Sequence, residues 1–294
     1  MNTQKGMTLV ELLVSLVIGT ALLAGSLTVL TSNNASLRLN EALSSVQENG
    51  RFALSKLTQD VRLAGSYNPQ APELDVNGIE VTTEQAEVVD TAVGFVGAFL
   101  SNAFLGSKEG ASGASDTLVI GMQGGADCTR DSHGYGTVVV AGQTVAREFH
   151  VVNEYYLDAN QLKCKGYDGR VLRGVKSSSG SSNAVTLVEN VDDFQILYGV
   201  AEPDALGAFT GQPSYYATAD RATVAVNAGA RVVAVQLSLL LFSEDTISKN
   251  GANRKMKLLD NKASVPAEAR VYRTFEQTVM LRNAWNAAVF GASS

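Results

Sequence analysis

Two hydrophobic periodicities divide the chain. Between Leu12 and Leu37 no residue is formally charged, and Leu12–Leu30 is apolar or small almost throughout. About 20 such residues in a helix, each rising 1.5 Å, cross the hydrocarbon core of a bilayer. A secretory signal peptide has a different order: a positive start, an apolar run of about 7–15 residues and a small-residue cleavage site after it. Here Glu11 lies just inside the start of the run, and no Ala-x-Ala site follows before the sequence turns polar at Ser32-Asn33-Asn34. The apolar segment is therefore expected to be retained. Beyond Asn34 the apolar residues Leu39, Leu43, Val46, Ala53, Leu57, Val61 and Ala64 recur at three- and four-residue steps, with Gly50 in the one vacant place. That spacing is one face of an amphipathic helix. Glu41, Ser44, Glu48, Arg51, Gln59 and Arg62 fall on the other side, and Gly65 with Asn68-Pro69 supplies the stop. The two stretches join into one helix from about Met7 to Ala64, roughly 87 Å long at 1.5 Å per residue.

From Gln70 onward the pattern changes to short β-branched runs separated by Gly, Ser and Asp-Asn turns, the pattern of strands and hairpins. Thr117–Ile120, Thr137–Val140, Val151–Leu157, Gln161–Tyr167, Phe194–Val200, Val232–Phe242 and Val271–Leu281 are the expected strands, in a largely antiparallel sheet. Asp158-Ala159-Asn160 is hairpin chemistry, because Asp and Asn tolerate left-handed backbone angles. Loops are expected at Pro72–Asp90, which carries six acidic residues and no basic one, at Ala98–Ser115, at Ser177–Ser182 and at Thr218–Gly229. The fold class is α+β: a long helix, half transmembrane and half amphipathic, packed on a mainly antiparallel β-rich head at residues 66–294.

Composition narrows the choice. Twenty-seven glycines against five prolines suit strands joined by glycine turns, and the net charge of −6 disfavours a chain that coats nucleic acid. Mean hydropathy of +0.05 is high for a soluble chain and is explained by the apolar segment. An acidic side chain inside a membrane segment costs about 2.5–3.5 kcal/mol when central and unpaired, so Glu11 asks for a cation.

The string around it is specific. Lys5-Gly6-Met7-Thr8-Leu9-Val10-Glu11-Leu12-Leu13 resembles the prepilin pattern: a short basic leader ending in Gly, a residue that is usually Phe, then Thr-Leu-x-Glu. The resemblance implies a leader at residues 1–6, cleavage by prepilin peptidase between Gly6 and Met7, N-methylation of Met7, and a helix at residues 7–65. It implies also that the Glu11 carboxylate pairs with the terminal amine of a neighbouring subunit. Met7 departs from the usual Phe but keeps a large apolar side chain. Two further strings are similar to the PilW family of minor type IV pilins: Gln47–Leu54 with Asp60–Gly65, and Val188–Val191 leading into Phe194–Gly199. The closing Tyr272–Asn283 is similar as well. Membership implies a subunit that primes pilus assembly and sits at or near the tip, serving twitching motility, adhesion or DNA uptake. Its implied partners are other minor pilins, the major pilin, prepilin peptidase and the inner-membrane assembly platform, and its place is the inner membrane with a periplasmic head, then the pilus. The minor pseudopilin J of type II secretion shares the amino-terminal pattern and is the alternative.

Lys5 on the inner side of the span places the rest of the chain outside the cytoplasmic membrane, an oxidising compartment in which Cys128 and Cys164 are expected to pair. A zinc site from these with His133 and His150 lacks any Cys-x-x-Cys or His-x-x-x-His spacing. His133, in Asp131-Ser132-His133-Gly134, is expected in a solvent-exposed turn, and His150 in a satisfied strand position. No Gly-x-Ser-x-Gly elbow or Walker loop is present, and Asp192-Asp193 would point to opposite faces of a strand. No enzymatic activity and no cofactor are expected. Lys249–Arg273 carries seven basic residues against Asp260 and Glu268. Its first reading is a solvated loop, its second a dock for an acidic neighbouring subunit, and its third contact with extracellular DNA.

Overall fold

One helix, α1 (Leu9–Leu63), runs for 55 residues, and among the described residues ten strands build two four-stranded sheets and a separate hairpin beside its second half. The computed structural model describes residues 8–66, 107–146, 148–169, 181–209, 211–246, 255–259, 261 and 269–285. The leader, Met7 and the acidic stretch Pro72–Asp90 lie outside the described residues. Thr8 caps α1, its hydroxyl oxygen accepting from the Glu11 N–H at 3.3 Å. Gly65, with φ of +67°, turns the chain out of the helix, and its N–H donates to the Gly121 carbonyl at 2.8 Å.

The apolar stripe of α1 meets the head from Val46 onward: Val46, Ala53, Leu57, Val61 and Ala64 are buried, whereas Leu39, nine residues beyond Leu30, stays exposed. Each leucine-sized side chain so buried stabilises by about 1.5–3 kcal/mol. Gly50 fills the vacant place in the stripe for a steric reason. A Cβ there would stand 2.2 Å from the Phe275 ring, so only glycine lets that ring lie against the helix.

The first sheet has the order β1 (Leu118–Gly124), β4 (Phe149–Asp158), β5 (Gln161–Asp168), β6 (Val185–Glu189). The second has the order β10 (Tyr272–Met280), β9 (Arg231–Phe242), β7 (Val191–Ala201), β8 (Tyr215–Ala217). Every strand pair among the described residues is antiparallel. The strands β2 (Thr137–Val140) and β3 (Gln143–Ala146) form a two-stranded hairpin of their own. All seven expected strands are found. The β4–β5 hairpin turns on Ala159 and Asn160, both at positive φ (48° and 62°), with Asp158 pairing Gln161. A single residue, Asn190 at φ of 61°, passes the chain from the first sheet to the second, a left-handed conformation that Asn accepts more readily than most residues. Asn160 stitches the two sheets there: its carbonyl accepts the Val191 N–H and its amide donates to the Val191 carbonyl, both at 3.0 Å. The core lies between the sheets and α1, with Tyr155, Tyr198, Phe194 and Leu57 among its largest buried side chains.

Four features depart from the sequence reading. The stretch expected to be a loop at Thr218–Gly229 contains a helix, α2 (Ala219–Asn227), because alanine is the best helix former and Ala219 and Ala222 give it a small-residue face that buries closely. β3, β6 and β8 were not anticipated: each has five residues or fewer, too few for alternation to show. Within Ser177–Ser182 the described residues Ser181 and Ser182 are ordered by β5, Ser181 bridging Tyr167 and Ser182 bonding Gly166. Within Ala98–Ser115 the described part includes a 3-10 turn, Ala111–Gly113.

Candidate functional site

The exposed half of α1 is built for a surrounding that cannot hydrogen-bond. An 18-residue window of it has mean hydropathy of 2.2 and buries none of its surface against the head. The hydroxyls within the apolar run turn onto helix carbonyls: Ser15 onto Glu11 at 2.6 Å, Thr20 onto Val17 at 2.9 Å, and Ser26 onto Leu22 and Thr28 onto Ala24, both at 2.9 Å. In hydrocarbon every polar group must be satisfied internally, and this back-bonding does so. Glu11 sits exposed in the first turn of α1, where the positive end of the helix dipole favours a carboxylate. It makes no ion pair among the described residues. Gly6 and Met7 lie outside the described residues.

At the other end of α1 a polar contact keys the helix to the first sheet. Asp60 falls on the buried face; its Oδ2 accepts from the Tyr155 hydroxyl at 2.5 Å and its Oδ1 from Lys56 Nζ at 3.0 Å. Burial, and then the Asp60 charge and hydrogen bond, push the Tyr155 phenol well above its usual 10, so it stays a neutral donor. Nothing in the sequence reading singled out this pair. The trace available was a carboxylate one residue off the apolar line Leu57, Val61, Ala64.

Cys128 and Cys164 form a disulfide, with Cα atoms 6.4 Å apart, tying the loop after β1 to the middle of β5. The loop is wound around one buried carboxylate. Asp127 Oδ1 accepts from the Thr129 N–H at 2.7 Å, the Thr129 hydroxyl at 2.6 Å and the Asp131 N–H at 3.0 Å. Its Oδ2 meets His133 Nε2 at 2.9 Å. The absence of a side chain at Gly166 makes the room, since a Cβ there would collide with the Asp127 carboxylate. His133 is therefore not the exposed turn residue expected: its side chain retains 5% of its accessible surface, edge-on to the Phe149 ring at 5.6 Å. The turn is there, but ion pairing to Asp127 folds the imidazole inward. Tyr135 stacks on the other side of the loop against Phe149, ring centres 4.2 Å apart, and donates to the buried Asp168 at 3.1 Å. His150 is buried in β4, as its strand placement suggested, and burial pushes its pKa down to about 4 against a weaker upward pull from Asp168.

The Asp127–His133 pair carries a pH dependence with a definite sign. Burial alone would raise Asp127, but hydrogen bonds from His133, Thr129 and the backbone lower it to about 2. Burial alone would lower His133, but the bond to Asp127 and the charges of Asp127, Asp131 and Asp168 raise it above 6.5. The stabilisation from His133 is thus fully present below pH 6.5 and lost as pH rises through its raised value. That from Asp127 is present above 3.8 and lost as pH falls towards about 2. Amide hydrogen exchange at Thr129 and Asp131, corrected for intrinsic rate, will be slower at pH 5.5 than at pH 8.5. In His133→Gln the difference disappears; its persistence would remove the imidazole from the account.

The remaining candidates resolve into structure. Asp193 Oδ1 accepts from Ser115, Gln195 and the Phe194 N–H, and its Oδ2 from Asn261 at 3.0 Å, so it braces loops and does not share a substrate with Asp192. Among the described residues no three His, Cys, Asp or Glu side chains are grouped to hold a metal ion. Of the basic stretch, Lys249, Arg254 and Lys262 lie outside the described residues. Arg270 stacks on Phe242 at 4.9 Å and donates to the Ser243 carbonyl, a structural placement, while Arg273 is exposed on β10.

Comparison with known proteins gives two family matches. The model described as type IV pilus-assembly protein W matches residues 148–283, from the start of β4 to just beyond β10, and the prokaryotic N-terminal methylation motif matches residues 1–27. Cys164 falls inside the first span, and Cys128 with the Asp127–His133 loop falls outside it. No curated protein matches the chain. Among solved structures, a type IV-like pilin from Thermus thermophilus aligns with 60% of this chain and 83% of its own, at 12% identity and a TM-score of 0.31. The assignment rests on the two family models. A methylation-motif amino terminus leading into a half-exposed helix, and a head matched from β4 to β10 by the model for type IV pilus-assembly protein W, together support a PilW-family type IV pilin.

Proposed function

We propose that this pilin is a minor subunit that primes polymerisation of a type IV pilus and is incorporated at or near its tip, where it serves twitching motility, adhesion or DNA uptake. Its role is structural. The observation that carries the reading is α1 itself: one continuous helix whose amino-terminal half exposes a charge-free apolar surface, interrupted by the single carboxylate of Glu11. In this reading prepilin peptidase cuts after Gly6, Met7 carries the methylated amine, and α1 anchors the chain in the inner membrane with the head in the periplasm. Glu11 then pairs with the amine of a processed neighbour. Attraction at low dielectric is strong and desolvation offsets much of it, so the pair sets register between subunits more than it adds net stability.

Glu11→Leu will still insert and still be cleaved after Gly6, as intact-mass analysis of membrane extracts will read. It will fail to recover the other minor pilins in co-immunoprecipitation and will lower piliation at least tenfold. Undiminished partner recovery with normal piliation would make Glu11 a bystander, and residues 1–6 still attached to the wild-type protein would end the pilin reading. Loss of secreted enzymes without loss of pili on deletion would move the protein to a secretion machine.

A further inference from the structure

Where the second half of α1 passes β10, a groove runs between helix and strand. Leu54, Leu63 and Phe275 supply its apolar floor, and Arg51 and Arg62 stand along its helix side with no acidic residue in the lining. Strand alternation puts Arg273 on the same face of β10 as Phe275, two residues earlier. All three arginines are exposed, and none forms an ion pair among the described residues. The groove also borders an open edge. β10 ends the sheet order β10-β9-β7-β8 and pairs only with β9 among the described residues. Its outer backbone groups extend over nine residues, about 30 Å at 3.3–3.4 Å per residue.

An open strand edge takes another extended chain by main-chain hydrogen bonds, and the side chains beside it choose which chain. We infer that this groove and the β10 edge receive an extended acidic segment of a neighbouring pilin subunit, laid against β10 with its carboxylates on Arg51, Arg62 and Arg273. Charge complementarity argues for that occupant. Two guanidiniums, Arg51 and Arg62, line an apolar floor with no acidic residue beside them, a third, Arg273, stands on the same face of β10 as Phe275, and a guanidinium binds a carboxylate in a bidentate fork that ammonium or amide groups do not offer. Phe275 and Leu54 then pack against the aliphatic stems of those acidic side chains, while the residues that alternate with them fall on the other face of the sheet, beside Thr274 and Thr278. The inference rests on the subunit reading above only for the identity of the partner.

The test uses the full chain in detergent and a fluorescent nine-residue peptide of alternating Val or Thr and Glu, beside its counterpart with Gln at every Glu position. The Glu peptide will bind at least tenfold more tightly than the Gln peptide, with an affinity that falls as salt is raised. The variant Arg51→Gln with Arg62→Gln will lose at least tenfold in affinity at unchanged thermal midpoint, and a photo-crosslinking residue at Gln277 will capture the Glu peptide. Should that pair of substitutions unfold the protein, Arg273→Gln, on the strand side, takes its place with the same expected loss. Equal affinity for the two peptides, insensitivity to the arginine substitutions, no binding, or a crosslink from position 277 to the chain's own acidic stretch would each overturn the inference. Piliation of the deletion strain is read separately, so failure here leaves the subunit reading untouched.

Discussion

Replacement of Cys128 or Cys164 by serine will cost the head about 3–4 kcal/mol, the chain-entropy value for a closed loop of about 36 residues. The bond joins two elements that differ in what else holds them. Cys164 sits fully buried in the middle of β5, whereas Cys128 belongs to a loop whose other attachments are the bond from the Cys128 N–H to Asn153 Oδ1 at 3.0 Å, the Tyr135 hydroxyl on Asp168, and the packing of His133 and Tyr135 on Phe149. Without the disulfide that loop keeps its hydrogen bonds and ring contacts but no covalent tie to β5, and the β2–β3 hairpin that follows it, which pairs with neither main sheet, has a looser base. The measurement is urea unfolding of the wild type and the serine variants under oxidising conditions, together with the wild type under reductant. A loss below about 1 kcal/mol, or free thiols found by non-reducing peptide mapping of the wild-type protein, would contradict the expectation.

The second large effect lies at the junction of helix and head. Tyr155→Phe removes the hydroxyl that donates to Asp60 and leaves a buried carboxylate with Lys56 as its remaining partner. Hydrogen bonds to charged groups contribute about 1.5–3 kcal/mol, and that range is the expected loss. Asp60→Ala will cost a similar amount, because it leaves the Tyr155 hydroxyl buried without an acceptor. The double variant will lose less than the sum of the two, by at least 1 kcal/mol, since each single change already destroys the same contact. Additive losses would mean that the two residues act independently despite their 2.5 Å separation.

These two sites were unequally legible in the sequence. The cysteine pair could be anticipated from compartment and number, because chemistry limits what two thiols do outside the cytoplasm. Asp60 could not, because its importance depends on a tyrosine 95 residues later, and no local pattern records such a separation. The same contrast runs through the fold. α1 and the longer strands announce themselves by period, as do the Gly65 stop and the Asn160 turn, all of which are set by neighbours in sequence. Gly50 was visible as a gap in the stripe, but its reason, the Phe275 ring, comes from the far end of the chain. α2 is not legible because nine residues are too few for a helical period to stand out, and its alanines offset by Thr, Val and Asn leave the helix to be decided by what Ala219 and Ala222 pack on. His133 was placed in the right turn with the wrong orientation, since alternation and turn propensity say where the backbone goes and not that a carboxylate six residues earlier will draw the imidazole inward.

The continuity of α1 makes it a shaft whose two ends have a fixed angular relation. At about 100° per residue, the 49 residues from Glu11 to Asp60 amount to thirteen full turns and roughly a further half turn. The contact that locks the head in place and the lone carboxylate in the apolar half therefore point to opposite sides of the same rod. Whatever cation approaches Glu11 does so from the side away from the head, without passing beneath it. Inserting one residue in the exposed stretch between Leu30 and Leu39 would rotate that carboxylate by about 100° relative to the head, and four inserted residues would return it to within about 40° of its original bearing.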